Sequence, residues 1–139
     1  MFSLKSIIIL LVFILTVHAI AILNHWYWTY SWIDMPMHFL GGILAAMLFF
    51  WVNLKFDYLT KLPNYLITVI LSLSFVALIG VLWEFSEFFY DIFISSRGYS
   101  DFLKLGAADT LGDLFFDLLG GLAASIIYLI TARYSILKK

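Results

Sequence analysis

Apolar residues run with few breaks from Ser6 to Leu23, Pro36 to Val52, Tyr65 to Ile94 and Asp109 to Ala132, and the polar stretches between them are short. Each run reaches or approaches the ~20 residues that a helix needs to cross ~30 Å of hydrocarbon. The pattern predicts an all-α, integral membrane four-helix bundle, a single domain with helices over residues 5–23, 34–54, 64–94 and 108–132 and no soluble module beside it. Pro36 falls where a first helical turn accepts it best, because the N–H it lacks would be unpaired there. Asn64 is placed to cap the third helix. That helix stays apolar around its acids through Phe93; at 1.5 Å per residue its roughly thirty residues span about 45 Å, so it must tilt, kink or project beyond the bilayer.

Composition agrees with the pattern: 64% of residues are hydrophobic, 19% aromatic and only 12% charged, too apolar for the surface of a soluble domain. A formal net charge of −1 gives a nucleic-acid partner no electrostatic support. The absence of cysteine removes disulfides, thiolate metal sites and thiol catalysis together. Lys5 before an apolar run, with Val17-His18-Ala19 after it, has the form of a secretory signal, but an uncleaved first helix is the expected reading. Threading four helices puts Lys5, Lys55, Lys61, Arg133, Lys138 and Lys139 on one side, against Arg97 and Lys104 on the other. The positive-inside rule then places both termini in the cytoplasm, as expected of a plasma-membrane protein. The first loop, with His25, Trp26, Tyr27, Trp28, Tyr30 and Trp32, reads as an aromatic interfacial belt against the lipid bilayer.

Asp34-Met-Pro-Met-His38-Phe-Leu-Gly41-Gly42 at the head of the second helix reappears as Asp113-Leu-Phe-Phe-Asp117-Leu-Leu-Gly120-Gly121 in the fourth, with His exchanged for Asp. Two parallel-repeated helical hairpins are the expected architecture, and the small residues following each acid are expected to let the second and fourth helices pack closely. Asp109, Asp113 and Asp117 recur at every fourth position, within an arc of about 80°. Glu84, Glu87 and Asp91 share a face of the third helix, and Asp34 and His38 are an i, i+4 pair. His38, Glu84, Glu87, Asp113 and Asp117 are the expected metal ligands, with Glu84 or Glu87 as catalytic base. Asp34, Asp91, Asp109, His18 and Arg97 form a secondary set. The outer acids also suit helix capping, His18 also suits a packing role, and Arg97 also suits an ion pair with Asp101 or Asp91 or a phosphate head group.

A charge at the centre of a membrane helix is unfavourable by about 2.5 to 3.5 kcal/mol, and no Lys or Arg lies within these runs to compensate. Bound cations, shared protons or a water-filled vestibule would each neutralise the cluster, and helix-to-helix hydrogen bonding is the plainer alternative. Carboxylates with one imidazole suit a divalent ion, Zn, Mn, Fe or Mg, while the lack of a Glu-x-x-His pair argues against the usual di-iron bundle pattern.

Asp34-x-x-x-His38-Phe, the acidic pair Glu84 and Glu87, Arg97-Gly98-Tyr99-Ser100 and Asp113-x-x-x-Asp117-x-x-Gly120 together resemble the VanZ-like membrane proteins. The Asp/His and Asp/Asp helix heads are also similar to those of the YjdF-type small inner-membrane proteins. The resemblance covers Asp34 to Gly121 and departs from the VanZ-like pattern at Glu87, where Gln is usual, and at Asp117, where Asn is usual. Both departures add negative charge and favour a metal over a neutral network. The resemblance implies a bacterial cell-envelope protein of a type linked to tolerance of a glycopeptide antibiotic, with no established reaction.

Three functions compete at this point. An enzyme would use the metal on an envelope lipid or lipid-linked substrate, within a homo-oligomer if one chain is too small for the substrate site. A cation- or proton-binding protein would use the same acids, but the inner halves of the second and fourth helices offer only Asn53, Ser125, Tyr128 and Thr131 as polar groups and read as sealed. A scaffold would use the site only to hold the helices together.

Overall fold

Ser3 opens the first helix by accepting a hydrogen bond from the Ser6 backbone N–H at 3.1 Å, while Ser6 Oγ accepts from the Ser3 N–H at 3.0 Å, so two N–H groups with no helical partner are satisfied at once. The computed structural model describes residues 2–30, 32–56, 64–95 and 107–137. Its helices are α1 (Leu4–Leu23), α2 (Trp26–Thr29), α3 (Asp34–Phe56), α4 (Tyr65–Ser95) and α5 (Ala107–Leu137). All but the short α2 are long and apolar enough to cross a membrane, and the chain is an integral membrane protein with an all-α bundle.

The first connection, which the aromatic pattern leaves as a belt, contains the single turn of helix α2. His25 before it takes a left-handed conformation (φ 56°) that folds the chain back. At α4, Asn64 Oδ1 accepts from the Leu66 N–H at 2.9 Å, the cap its position suggests. Residues 57–63 and 96–106, with Lys61, Arg97, Asp101 and Lys104, lie outside the described residues.

Helices α3 and α5 make the most extensive contact, α4 packs on both, and α1 rests on α3. The α3/α5 pair meets at His38 and Asp117 and again at Phe50 and Tyr128, whose rings stack at 3.9 Å, so the two helices run in the same direction. Their backbones touch where glycine permits it. A Cβ on Gly42 would fall on the Asp117 carbonyl, and one on Gly120 would fall on the Phe39 carbonyl. Between α4 and α5 the contacts step by one turn in opposite directions, with Ser72 against Ser125, Val76 against Gly121 and Gly80 against Asp117. The small apolar core of Ala45, Ala46, Val76 and Ala124 lies among α3, α4 and α5, as expected where close helix approach rather than water exclusion drives packing. Long side chains such as Ile9, Val12, Phe13 and Leu66 face outward. Thr16, Ser74, Ser86 and Thr131 donate to carbonyls one turn earlier, which satisfies hydroxyls that hydrocarbon cannot.

Candidate metal centre

The α3/α5 crossing sets the site. Because Gly42 and Gly120 bring the two backbones together, the first turns of α3 and α5 direct their acids at one point rather than into lipid. His38 is buried there with a carboxylate beside each ring nitrogen. Nδ1 lies 3.4 Å from Asp117 Oδ2, while Nε2 lies 3.7 Å from Asp34 Oδ1 and 3.8 Å from Asp113 Oδ1. The two sides of the ring differ in kind. At 3.4 Å Asp117 is near enough to accept a long, weak hydrogen bond from Nδ1–H, whereas at 3.7 and 3.8 Å the Nε2 contacts are too long for one. Two atoms that each bind one ion at about 2.1 Å stand about 3.4 Å apart in tetrahedral geometry, so a small closure of the Nε2 side would hold a cation.

Helix α4 closes the third side. Its contacts with α5 advance one turn at a time, and the next step after Gly80 and Asp117 sets Glu84 opposite Asp113. Both are buried, and among the described residues Glu84 Oε1, Glu84 Oε2 and Asp113 Oδ2 have no hydrogen-bond partner. The Thr110 hydroxyl approaches Glu84 without reaching hydrogen-bond geometry. Buried carboxylate oxygens left unpaired are costly, more so than neutral groups. Glu87, one turn further and only partly buried, accepts from Trp83 Nε1–H at 2.9 Å.

Two ligand sets can be assembled from these groups, Asp34 with His38 and Asp113, and His38 with Glu84 and Glu87, the donor atoms of each lying within 4.8 Å of one another. Of the residues expected from sequence, His38, Glu84, Glu87, Asp113 and Asp34 thus come together. Asp117 lies against them but on the Nδ1 side, a position suited to orienting the ring rather than binding at Nε2. Asp109 is exposed in the first turn of α5. His18 turns to another partner, with Nδ1 2.7 Å from the Tyr27 hydroxyl and its ring edge-on to Trp83. Burial and the negative charges of Asp34 and Glu87 push the Tyr27 hydroxyl above its ordinary pKa, so it stays a phenol hydrogen-bonded to His18. The Asp91 side chain and Arg97 lie outside the described residues.

Gly80 is the site residue that the sequence reading missed. A Cβ there would come within 2.6 Å of Asp117 Oδ2, so its hydrogen leaves the slot in which that carboxylate lies, with Gly41 on the other side. The signal was present in the sequence: Gly80 stands one turn before Glu84, and Ser72, Val76, Gly80 and Glu84 have the same spacing as Asp113, Asp117, Gly121 and Ser125.

A family model described as "Predicted membrane protein (DUF2238)" matches residues 2–134. The chain belongs to the DUF2238 family. No curated protein and no solved structure matches it. Membership of DUF2238 agrees with the four spanning helices and assigns no reaction, so chemistry has to be argued from the site.

Proposed function

We propose that this DUF2238 member is a metal-dependent protein of the bacterial plasma membrane whose centre, in the outer half of the bilayer, acts on the head group of an envelope lipid or lipid-linked substrate. His38 Nε2, Asp34 and Asp113 would hold a divalent cation, Asp117 would fix the imidazole through Nδ1–H, and Glu84 or Glu87 would serve as base. Such an ion polarises a phosphoryl or acyl oxygen and makes bound water more acidic. The carrying observation is that both carboxylate oxygens of Glu84 and Asp113 Oδ2 are buried, without a hydrogen-bond partner among the described residues, beside an imidazole nitrogen whose two nearest carboxylates stand beyond hydrogen-bond range.

The basic residues support cytoplasmic termini and hence an outward site. The motif likeness to VanZ-like and YjdF-type proteins supports an envelope role. A scaffold is the second reading, favoured by the depth of His38, Asp113 and Asp117. Against it, the Asp34 side chain is 26% exposed and Glu87 is only partly buried, so the site has an open edge that a structural clip does not need. Elemental analysis of detergent-purified protein, beside His38→Ala and Asp113→Asn, tests the reading. Near-stoichiometric metal in the wild type, lost in both variants, is expected; no metal in the wild type after challenge with Zn, Mn and Mg overturns it.

A further inference from the structure

The two ligand sets share only His38, and its Nε2 can serve one ion. With Nε2 committed to the Asp34 and Asp113 position, Glu84 and Glu87 remain as a carboxylate pair on the opposite helix, and both oxygens of Glu84 are buried with no hydrogen-bond partner among the described residues. Glu84 is 8% exposed and Asp113 3%, and the α4/α5 register sets them face to face. Asp113 uses Oδ1 toward His38 and leaves Oδ2 free. Charge points the same way. Around His38 stand the carboxylates of Asp34, Glu84, Glu87, Asp113 and Asp117; one divalent cation would leave three formal negative charges in this pocket, and two would leave one.

We propose that the centre is binuclear, a second divalent cation being held by Glu84 and Glu87, with Asp113 bridging the two ions through its separate oxygens. The inference rests on the reading above for the first ion and takes Glu84 and Glu87 from the role of base to that of ligands. The positions differ in chemistry. The first, with an imidazole, accepts Zn or Fe as readily as Mn, whereas the second, all oxygen, selects a hard cation, Mn or Mg. Paired ions of this kind stand about 3.5 to 4 Å apart and clamp the attacking and leaving oxygens of a phosphoryl displacement, so a phosphate ester is the substrate class that such a pair would serve.

The test is titration of metal-stripped full-length protein in detergent with Mn(II) alone, with bound metal measured by elemental analysis and coupling by electron paramagnetic resonance. The expected result is two equivalents per chain with a spin-coupled signal, falling to one uncoupled equivalent in the Glu84→Gln, Glu87→Gln double variant. Should that variant fail to fold, the wild-type stoichiometry and coupling decide alone. One uncoupled equivalent in the wild type leaves the metal-centre reading standing and overturns the binuclear one, as does a folded double variant that binds as much as the wild type. No binding by the wild type overturns both.

Discussion

The segments Asp34–Gly42 and Asp113–Gly121 carry nearly the same pattern and do different work. Each presents an acid and, one turn later, a second polar group, and these second groups, His38 and Asp117, meet across the α3/α5 crossing. Two carboxylates at this point would repel; the exchange of one residue turns a like pair into a donor and an acceptor. The first acids diverge as well. Asp34 keeps an open edge with its side chain 26% exposed, whereas the Asp113 side chain is 5% exposed and turns toward α4. Even the paired glycines differ by a register step. Gly42 and Gly120 bear the backbone contact, while a Cβ on Gly41 would meet Asp117 Oδ1 at an ordinary 3.6 Å and one on Gly121 would meet the Val76 side chain.

The sharpest way to break this comparison is through the glycines. Gly42→Ala and Gly120→Ala drive a Cβ into a carbonyl that cannot rotate away, and each is expected to cost about 3 kcal/mol, at the upper end for overpacking, in unfolding measured in detergent. Gly41→Ala, by the same measurement, should stay within about 0.5 kcal/mol of wild type, because its Cβ meets only normal van der Waals contact and alanine gains in helix propensity. Equal losses at Gly41 and Gly42 would mean that the helices cross in another register.

The next effect separates the imidazole from the carboxylate that orients it. His38→Ala should lose the equivalent bound through Nε2, whereas Asp117→Asn should keep the stoichiometry and weaken affinity about 10- to 100-fold, the usual cost of losing a group behind a ligating imidazole. Gly80→Ala should follow Asp117→Asn at the mild end, about 10-fold, since its Cβ displaces the same carboxylate. Isothermal titration with Mn(II) or Zn(II) measures all three; full loss of stoichiometry in Asp117→Asn would make Asp117 a ligand. A smaller effect belongs to the opposite half of the bundle, where Ser125 Oγ donates within hydrogen-bonding reach of Ser72 and the Gly121 carbonyl. Ser125→Ala should cost about 1 kcal/mol, in the range found for polar contacts between membrane helices, and leave metal binding unchanged.

The four long helices were legible because lipid demands long apolar runs, and Pro36 and Asn64 mark the starts of two of them by local backbone chemistry. The acids were legible too, because an ionisable group in such a run stands out, and helical spacing gives the face it occupies. Periodicity does not say which neighbouring helix a face meets, or at what depth. Asp117 therefore looked equivalent to Asp113, although one lies in the Gly80 slot behind Nδ1 and the other faces Glu84. His18 looked able to join the site at its depth, but α2, which the aromatic composition concealed, brings it Tyr27 instead.

That latch yields the smallest effect and the only one with a pH signature outside the spans. Tyr27→Phe removes the hydroxyl hydrogen-bonded to a half-buried His18 and should cost about 0.5 kcal/mol, the low end for a hydrogen bond with some access to water. The wild-type phenol titrates above its ordinary value because burial and the carboxylates of Asp34 and Glu87 oppose the phenolate. The folded protein therefore keeps this proton where an unfolded chain loses it. Tyr27 leaves stability independent of pH below the ordinary phenol value of about 10 and lowers it as pH rises beyond. Phenolate absorbance should show a late-titrating tyrosine in the wild type that is missing from Tyr27→Phe. If the absorbance lost in Tyr27→Phe belongs instead to a tyrosine titrating near the ordinary value of about 10, Tyr27 faces water rather than the acids of α3 and α4, and α2 does not close over His18.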